Sequence, residues 1–590
     1  MSATKRTSTK RASAALEEYL GAFAPAYRDE PFLAYYSFGP DGSVSREDLT
    51  RGQFWLLSRR AAHVLRAAGL GRGDAFVHYF SGNRVADLAF RIAAAMTGAV
   101  PVTINWQADT PDVVAYKVGL TDSRLVLTDA LVPKEPLDAL RAQFPRLAFF
   151  AVEGLGAQPA LAEEDFCADD ALGPDATRII IFTSGTTGRP KGVRLPYRSY
   201  AANRGSFESF LEIREADRFA PIIVNPMHHT NSTAITDWAL RRPRTRLHLI
   251  ERYSTPYWRL VAEIASGPFD RIVAPTVSRH FDYLESLRQE GRLPLPLDEL
   301  QAAMRRVEFL IGSAPVGPTT VKRLQEYAGR IPLVRFGSTE TCLQVMGTPL
   351  SLSETERLDA FQRGWAHTFK GVEQGGYYVG RPHRGWTECR IVRGITRGGA
   401  GCFADCGEGE PGYLITRGAN LMSGYVRDDA ATREVMHEGG WYTGLRDICF
   451  RLTNPRDGES DYYWMSRDSA LLIRGGANYS YDQINAELKA FIGRTAGLPT
   501  EAFDVAVVGL RIASEHEDEC CVTVELIGDA AQSKRAEIEG RFLADAKQSV
   551  SKGARPDRLR FATIPRNFKG AILVSELKEQ CRAAFAAPRA

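Results

Sequence analysis

The sequence predicts an α/β protein: a large N-terminal domain of parallel sheets with a small β subdomain, followed by a smaller α+β C-terminal domain. Three observations carry this expectation. Strand-like and helix-like patterns alternate between residues 54 and 104, as expected of a parallel sheet covered by helices. From Gly375 the pattern changes to short β-like pieces. A chain of 590 residues is also too long for one core, so two or more domains are expected.

The chain starts with MSATKRTSTKR, basic and hydroxyl-rich, with no apolar h-region behind it. Residues 1–15 are therefore read as a disordered tail rather than a signal peptide. Residues 54–68 carry Phe54, Leu57, Ala61, Val64, Leu65 and Ala68 at helical spacing, and Gly69 ends the run. A strand over 75–80, a helix over 85–96 and a strand over 99–104 follow. His63 and His78 fall within these elements, where a packing or surface role is expected.

Residues 178–192 read RIIIFTSGTTGRPKG. The apolar run Ile179, Ile180, Ile181, Phe182 is cut off by Gly185, which is how a buried strand ending in a loop looks. Thr183, Ser184, Thr186 and Thr187 supply hydroxyl donors. Gly185 and Gly188 let successive backbone N–H groups turn towards one point. That forms a nest for an anion, and Lys191 at its end suits a polyphosphate. It is not the P-loop, which needs GxxxxGK[ST].

Later stretches repeat the strand-then-loop unit: 272–276 (IVAPT), 309–315 (FLIGSAP) and 333–340 (LVRFGSTE), with a helical pattern over 321–327. Short β pieces are expected at 377–380, 387–392 and 412–416, strands at 504–509 and 521–527, and a helix at 532–546.

Composition bounds the function. Lys plus Arg number 74 against 71 Asp plus Glu, a net charge of +3, too balanced to imply a nucleic-acid or anionic-membrane partner. No apolar run approaches the roughly 18 residues of a membrane span. The nine cysteines are scattered. Cys402 and Cys406 lack a second ligand pair, which argues against zinc. The expectation is a reduced, cytoplasmic enzyme.

The order TSGTTGRPKG resembles the phosphate loop of the adenylate-forming superfamily: acyl-CoA synthetases, peptide-synthetase adenylation domains and beetle luciferases. The later motifs extend the resemblance over nearly the whole chain. It implies that Thr183, Ser184, Gly185, Thr186, Thr187 and Lys191 hold the phosphates of ATP. Residues 221–233, PIIVNPMHHTNST, match a Pro-x-aromatic-His segment at the acyl pocket. His229 falls on its histidine, as a group that steers the acid or as a core residue. His228, His229, Thr230, Asn231 and Ser232 would then line the acid pocket, and these polar groups suit a long alkyl chain poorly because their hydrogen bonds would go unmade. Gly312, Ser313, Ala314 and Pro315 match the adenine-side loop. Phe336, Gly337, Ser338, Thr339 and Glu340 match a YGxTE motif, with Phe336 stacking on adenine, Thr339 at the α-phosphate and Glu340 holding Mg²⁺.

Residues 409–425, GEPGYLITRGANLMSGY, match a further family pattern. The family's TGD appears here as TGLRD, so Asp447 is assigned to the ribose, re-aimed by a local bulge. Arg467 is the second ribose contact, and Asp468 and Ser469 mark the hinge. The domains implied are 16–466 (AMP-binding), 467–469 (hinge) and a small mobile domain over 470–590. The family ends in a Pro-Lys-Thr-x-x-Gly-Lys run; this chain has PRNFKGA, with Ala571 at the lysine position. Lys569 lies on the same face of an extended segment, about 6.6 Å back, and is expected to substitute as a catalytic residue.

The function implied is an ATP-dependent, AMP-forming ligase that activates a small or aromatic acid and transfers it to CoA or another nucleophile. One alternative is a diazotase-type enzyme that activates nitrous acid for an aryl amine. Another is an inactive adenylate-binding homologue. ATP and Mg²⁺ are the expected cofactors, with CoA a candidate cosubstrate. The partners are a small-molecule acid and an acceptor, with homodimer formation left open.

Overall fold

The computed structural model describes residues 13–39, 41–167, 172–183, 190–399, 401–467, 470–474, 477–510, 512, 518–550, 553–566 and 572–585. Two large sheets organise residues 31–467. In the smaller one, Ala75–Tyr79 lies between Val100–Thr103 and Leu125–Thr128, all parallel, with Thr177–Phe182 beyond Val100–Thr103. Gly192–Pro196 then returns antiparallel to Thr177–Phe182.

The strand Thr177–Phe182 is buried on both sides, which explains its unbroken apolar run. Ile179 and Ile181 join one core cluster and Ile180 another on the opposite face.

The larger sheet has a parallel centre: Phe219–Ile223, Arg271–Thr276, Glu308–Ile311 and Leu333–Phe336 are neighbours in that order. The short β pieces after Gly375 do not stand apart. Tyr377–Pro382, Thr387–Val392, Gly412–Gly418, Asp447–Thr453 and Ser460–Arg467 form antiparallel pairs on the edge of this sheet, through Met346–Gly347.

One apolar core joins side chains of both sheets. Two helices within it, Val85–Thr97 and Thr230–Arg241, are buried on every face. The first manages this with five alanines. The second carries Asp237, which accepts hydrogen bonds from the Tyr19 hydroxyl at 2.5 Å and the Arg178 guanidinium at 3.3 Å.

The helix expected over 54–68 starts earlier, at Arg51, and ends at Ala67. Thr50 and Gln53 form a capping box there, a Thr-x-x-Gln signal legible in the sequence. Ala14 and Ala15, counted with the tail, lie in the helix Ala14–Leu20, which Ser13 caps.

A separate core holds residues from Leu472 to Cys581. It packs Phe503–Leu510, Glu519–Leu526 and Arg558–Phe561, one three-stranded sheet, with the helices Tyr481–Ala496, Arg535–Ser549 and Val574–Phe585. No helix among the described residues is long and apolar enough to cross a membrane.

Candidate active site

Four parallel strands of the larger sheet end at one edge, and ligand crevices form outside the carboxyl ends of such strands. Segments 224–229, 312–316 and 337–341 all emerge there. Thus the expected acid-side, adenine-side and FGSTE residues are gathered by topology, although they lie far apart in sequence.

The phosphate loop begins on the other sheet. The Thr183 N–H donates to the Lys191 carbonyl at 3.0 Å and closes the loop at its base. Ser184, Gly185, Thr186 and Thr187 lie outside the described residues. Lys191 is exposed, with its ammonium 5.0 Å from the centre of the Tyr425 ring. Tyr425 in turn donates its hydroxyl to Glu340 Oε1 at 3.2 Å. The Met422 N–H donates to the Glu340 carbonyl at 2.7 Å. Lys191 and Glu340, 149 positions apart, therefore meet across one tyrosine. Burial, reinforced by Glu340, pushes the Tyr425 phenol well above its ordinary range, so it remains a neutral donor.

Tyr425 was not singled out as a site residue from the sequence. Its signal is the Gly-Tyr closing GANLMSGY: the pair bridges antiparallel to Val193 and Arg194, directly after Gly192.

The 337–340 turn is tight. A Cβ on Gly337 would sit 2.0 Å from the Leu343 carbonyl oxygen, so only glycine fits. The Ser338 N–H is held by Thr341 Oγ1 at 2.8 Å, and Thr339 is half-buried beside Glu340. A Cβ on Gly312 would meet the Arg335 carbonyl oxygen at 2.8 Å, so the segment after Glu308–Ile311 packs closely on the strand Leu333–Phe336. Ser313, Ala314 and Pro315 are exposed, and Phe336 is half-buried.

Asp447 and Arg467 are register partners on an antiparallel pair. The Asp447 Oδ1 accepts from the Trp464 indole at 2.9 Å and lies 3.4 Å from Arg467 Nε. In the two-residue insertion, Leu445 is buried, while Arg446 takes a left-handed φ of 52° and pairs with Glu434 at 2.8 Å. The register irregularity falls between Ile448 and Cys449, one residue past Asp447.

Thr230, Asn231 and Ser232 form the first turn of a helix rather than a loop, with His229 as its N-cap. Ser232 turns its hydroxyl to the Asn225 carbonyl at 2.8 Å. Asn231 Oδ1 accepts from Arg335 at 3.1 Å. The rings of His228 and His229 meet edge to face at 4.3 Å, and His228 also lies 5.9 Å from Trp106. Buried groups hold this segment: Asn83 donates to the Asn225 carbonyl at 3.2 Å and accepts from the Met227 N–H at 2.8 Å. Arg91 donates to the Met227 carbonyl at 2.9 Å. Asp87 pairs with both Arg91 and His78, so His78 has a packing role. Asp468 and Ser469, expected at the hinge, and Lys569 lie outside the described residues.

The donor set fits a nucleotide with a hard cation: a half-buried carboxylate, a cationic tip, glycine backbone with no room for a side chain, and a second carboxylate for hydroxyls.

A sequence profile of the AMP-binding enzyme family matches residues 22–426. A long-chain-fatty-acid–CoA ligase, FadD13, from Mycobacterium tuberculosis is 28% identical, over 90% of this chain and 93% of that protein. A sulfoacetate–CoA ligase from Cupriavidus necator is 25% identical over 90% and 94%. Among solved structures, ATP-bound MatB from Rhodopseudomonas palustris matches with a TM-score of 0.71 at 20% identity, over 97% of this chain and 99% of that one. The o-succinylbenzoate CoA synthetase MenE from Bacillus subtilis, in complex with ATP and magnesium, matches at 0.69 and 20%, over 96% and 99%. These likenesses show the shared fold. With its motifs and its profile match in agreement over most of its length, the chain belongs to the AMP-binding enzymes of the adenylate-forming superfamily, as an AMP-forming acid ligase of the acyl-CoA synthetase kind.

Proposed function

We propose that this protein uses ATP and Mg²⁺ to convert a small or aromatic carboxylic acid into its adenylate and then passes the acyl group to CoA. The observation that carries this reading is the meeting of Lys191, Tyr425 and Glu340 at the mouth shared by the two sheets. The CoA-ligase names of the relatives support CoA as acceptor, and the polar first turn Thr230–Ser232 supports a small or aromatic acid.

In the first step a carboxylate oxygen attacks the α-phosphorus. An O–P bond forms, the bond to the β-phosphate oxygen breaks, and pyrophosphate leaves with the electron pair. Lys191 opposes the charge that develops. A magnesium ion, when bound, adds positive charge at the phosphate oxygens, and Glu340 is the residue that would hold it. Asp447, oriented by Trp464 and Arg467, accepts from the ribose hydroxyls. In the second step the CoA sulfur, its proton lost, bonds to the acyl carbon as the C–O bond to AMP breaks.

Nothing in the relatives or the site favours the diazotase alternative. The presence of Lys191 and Glu340 at one mouth speaks for an active enzyme over an inactive homologue.

Pyrophosphate and AMP release, measured with ATP, Mg²⁺, CoA and a panel of acids, tests the reading. Glu340→Gln and Lys191→Ala should each slow release by about a hundredfold or more, with the unfolding midpoint nearly unchanged. Unchanged turnover in both variants would sink it.

A further inference from the structure

A cavity of about 610 Å³ opens at the amino end of the smaller sheet, well within the range of small-molecule sites, about 300–1,000 Å³. Its place separates it from the nucleotide mouth. Ala75, Val100 and Thr177 line it, and they are the first residues of three neighbouring parallel strands. Thr183, at the base of the phosphate loop, follows the last residue of the strand Thr177–Phe182. A rise of about 3.3 Å per residue along that strand sets the two ends about 17 Å apart. Leu120 and Thr121, which also line the cavity, end the helix Pro111–Thr121.

The lining combines two chemistries. Ala75, Val100, Leu120, Leu172, Ile180 and Val426 make an aliphatic floor, and no aromatic ring stands among the described lining residues. Arg72, Arg194 and Arg427 bring three guanidiniums to the same hollow. Arg72 is exposed and pairs with no described carboxylate. Arg194 is half-buried and likewise pairs with none, and its Nε has no hydrogen-bond partner. Its head is set by its register partner Gly424, where a Cβ would lie 3.1 Å from Nη2. Arg427 stands 4.0 Å from Asp122. The carboxylate in the lining, Asp175, already accepts from Arg198 at 2.7 Å. The hollow therefore carries an excess of positive charge that the surrounding protein does not neutralise, and an anion between like charges relieves their repulsion.

We propose that this cavity is a second ligand site, separate from the nucleotide mouth, and that it takes an amphipathic organic anion: an aliphatic chain headed by a carboxylate or a phosphate. The chain lies on the aliphatic floor, where burial of each methylene is favourable. The head accepts from the guanidiniums, whose planar forks match both anions. A nucleotide base finds no ring to stack on there.

Calorimetric titration of the full-length protein tests this with two probes, decanoate and decyl phosphate, each below its micelle concentration and with AMP saturating the nucleotide site. At least one probe should bind at one-to-one stoichiometry, and the tighter of the two identifies the head. Inorganic phosphate and decanol should each bind at least about tenfold more weakly, since each offers only half of the chemistry. Arg72→Ala and Arg194→Met should each weaken binding of the better probe about tenfold or more. In Arg72→Ala the KM for ATP and the unfolding midpoint should stay at their wild-type values. Failure of both probes to bind overturns the proposal, as does wild-type affinity in either variant, which places the probe elsewhere. Inorganic phosphate binding as tightly as decyl phosphate overturns it too. These outcomes leave the ligase reading standing, because pyrophosphate release measures that separately.

Discussion

Asp447 shows how much one side chain can carry. It is buried, yet one oxygen serves both the Trp464 indole and Arg467, leaving the carboxylate fixed rather than free to rotate. Asp447→Asn keeps the size and removes the charge. Hydrogen bonds to a charged group contribute about 1.5–3 kcal/mol. KM for ATP is therefore expected to rise about tenfold or more, with kcat changed less; steady-state kinetics at varied ATP checks this. The strand pairing that opposes Asp447 to Arg467 tolerates a turn ahead of it, so the two inserted residues leave Asp447 in register. The burial of Arg335 was not legible in the sequence. In LVRFGSTE an arginine inside a strand reads as a surface residue, and only the packing of Phe207 and Asn231 around it reveals the buried charge.

At the scale of elements, glycines differ in whether their surroundings leave room for a side chain. Gly337 has no room for a methyl group, since the obstructing atom is the Leu343 backbone carbonyl and cannot swing away. Gly337→Ala should cost about 1–3 kcal/mol, lower the unfolding midpoint by a few degrees and displace Glu340. The contrasting position is Gly540, inside the helix Arg535–Ser549, where an added Cβ meets nothing within 4 Å. Gly540→Ala should be neutral or stabilise by up to about 1 kcal/mol. Thermal unfolding of the two variants side by side checks both outcomes. Element identities were mostly legible: strand-then-loop units and helical spacing were read close to their true limits. Boundaries erred where a cap decides them, as at Thr50, and that the small β subdomain continues the larger sheet through Met346–Gly347 leaves no local signal.

For the whole molecule, burial of histidines makes stability depend on pH. Burial lowers His248 to about 3 and His280 and His383 to about 4, against about 6.5 in an unfolded chain. As pH falls below about 6.5 the unfolded state takes up protons that the native state refuses, so stability falls with acidification. The loss has a limiting slope of about 4 kcal/mol per pH unit for the three sites together and eases below about pH 4, once His280 and His383 titrate in the native state. Urea midpoints measured from pH 7 to 5 should drop steadily, and His383→Gln should make the decline shallower.

By itself the sequence determined the family and the alternation of strands and helices, because both are written in local pattern and spacing. Only the tertiary structure decided which groups meet: Tyr425 between Lys191 and Glu340, Arg467 opposite Asp447, and Arg335 buried against Asn231 and Phe207. The reason is physical. Sheet order and register bring distant segments together, and burial gives each charge its meaning according to what surrounds it, neither of which a linear pattern contains.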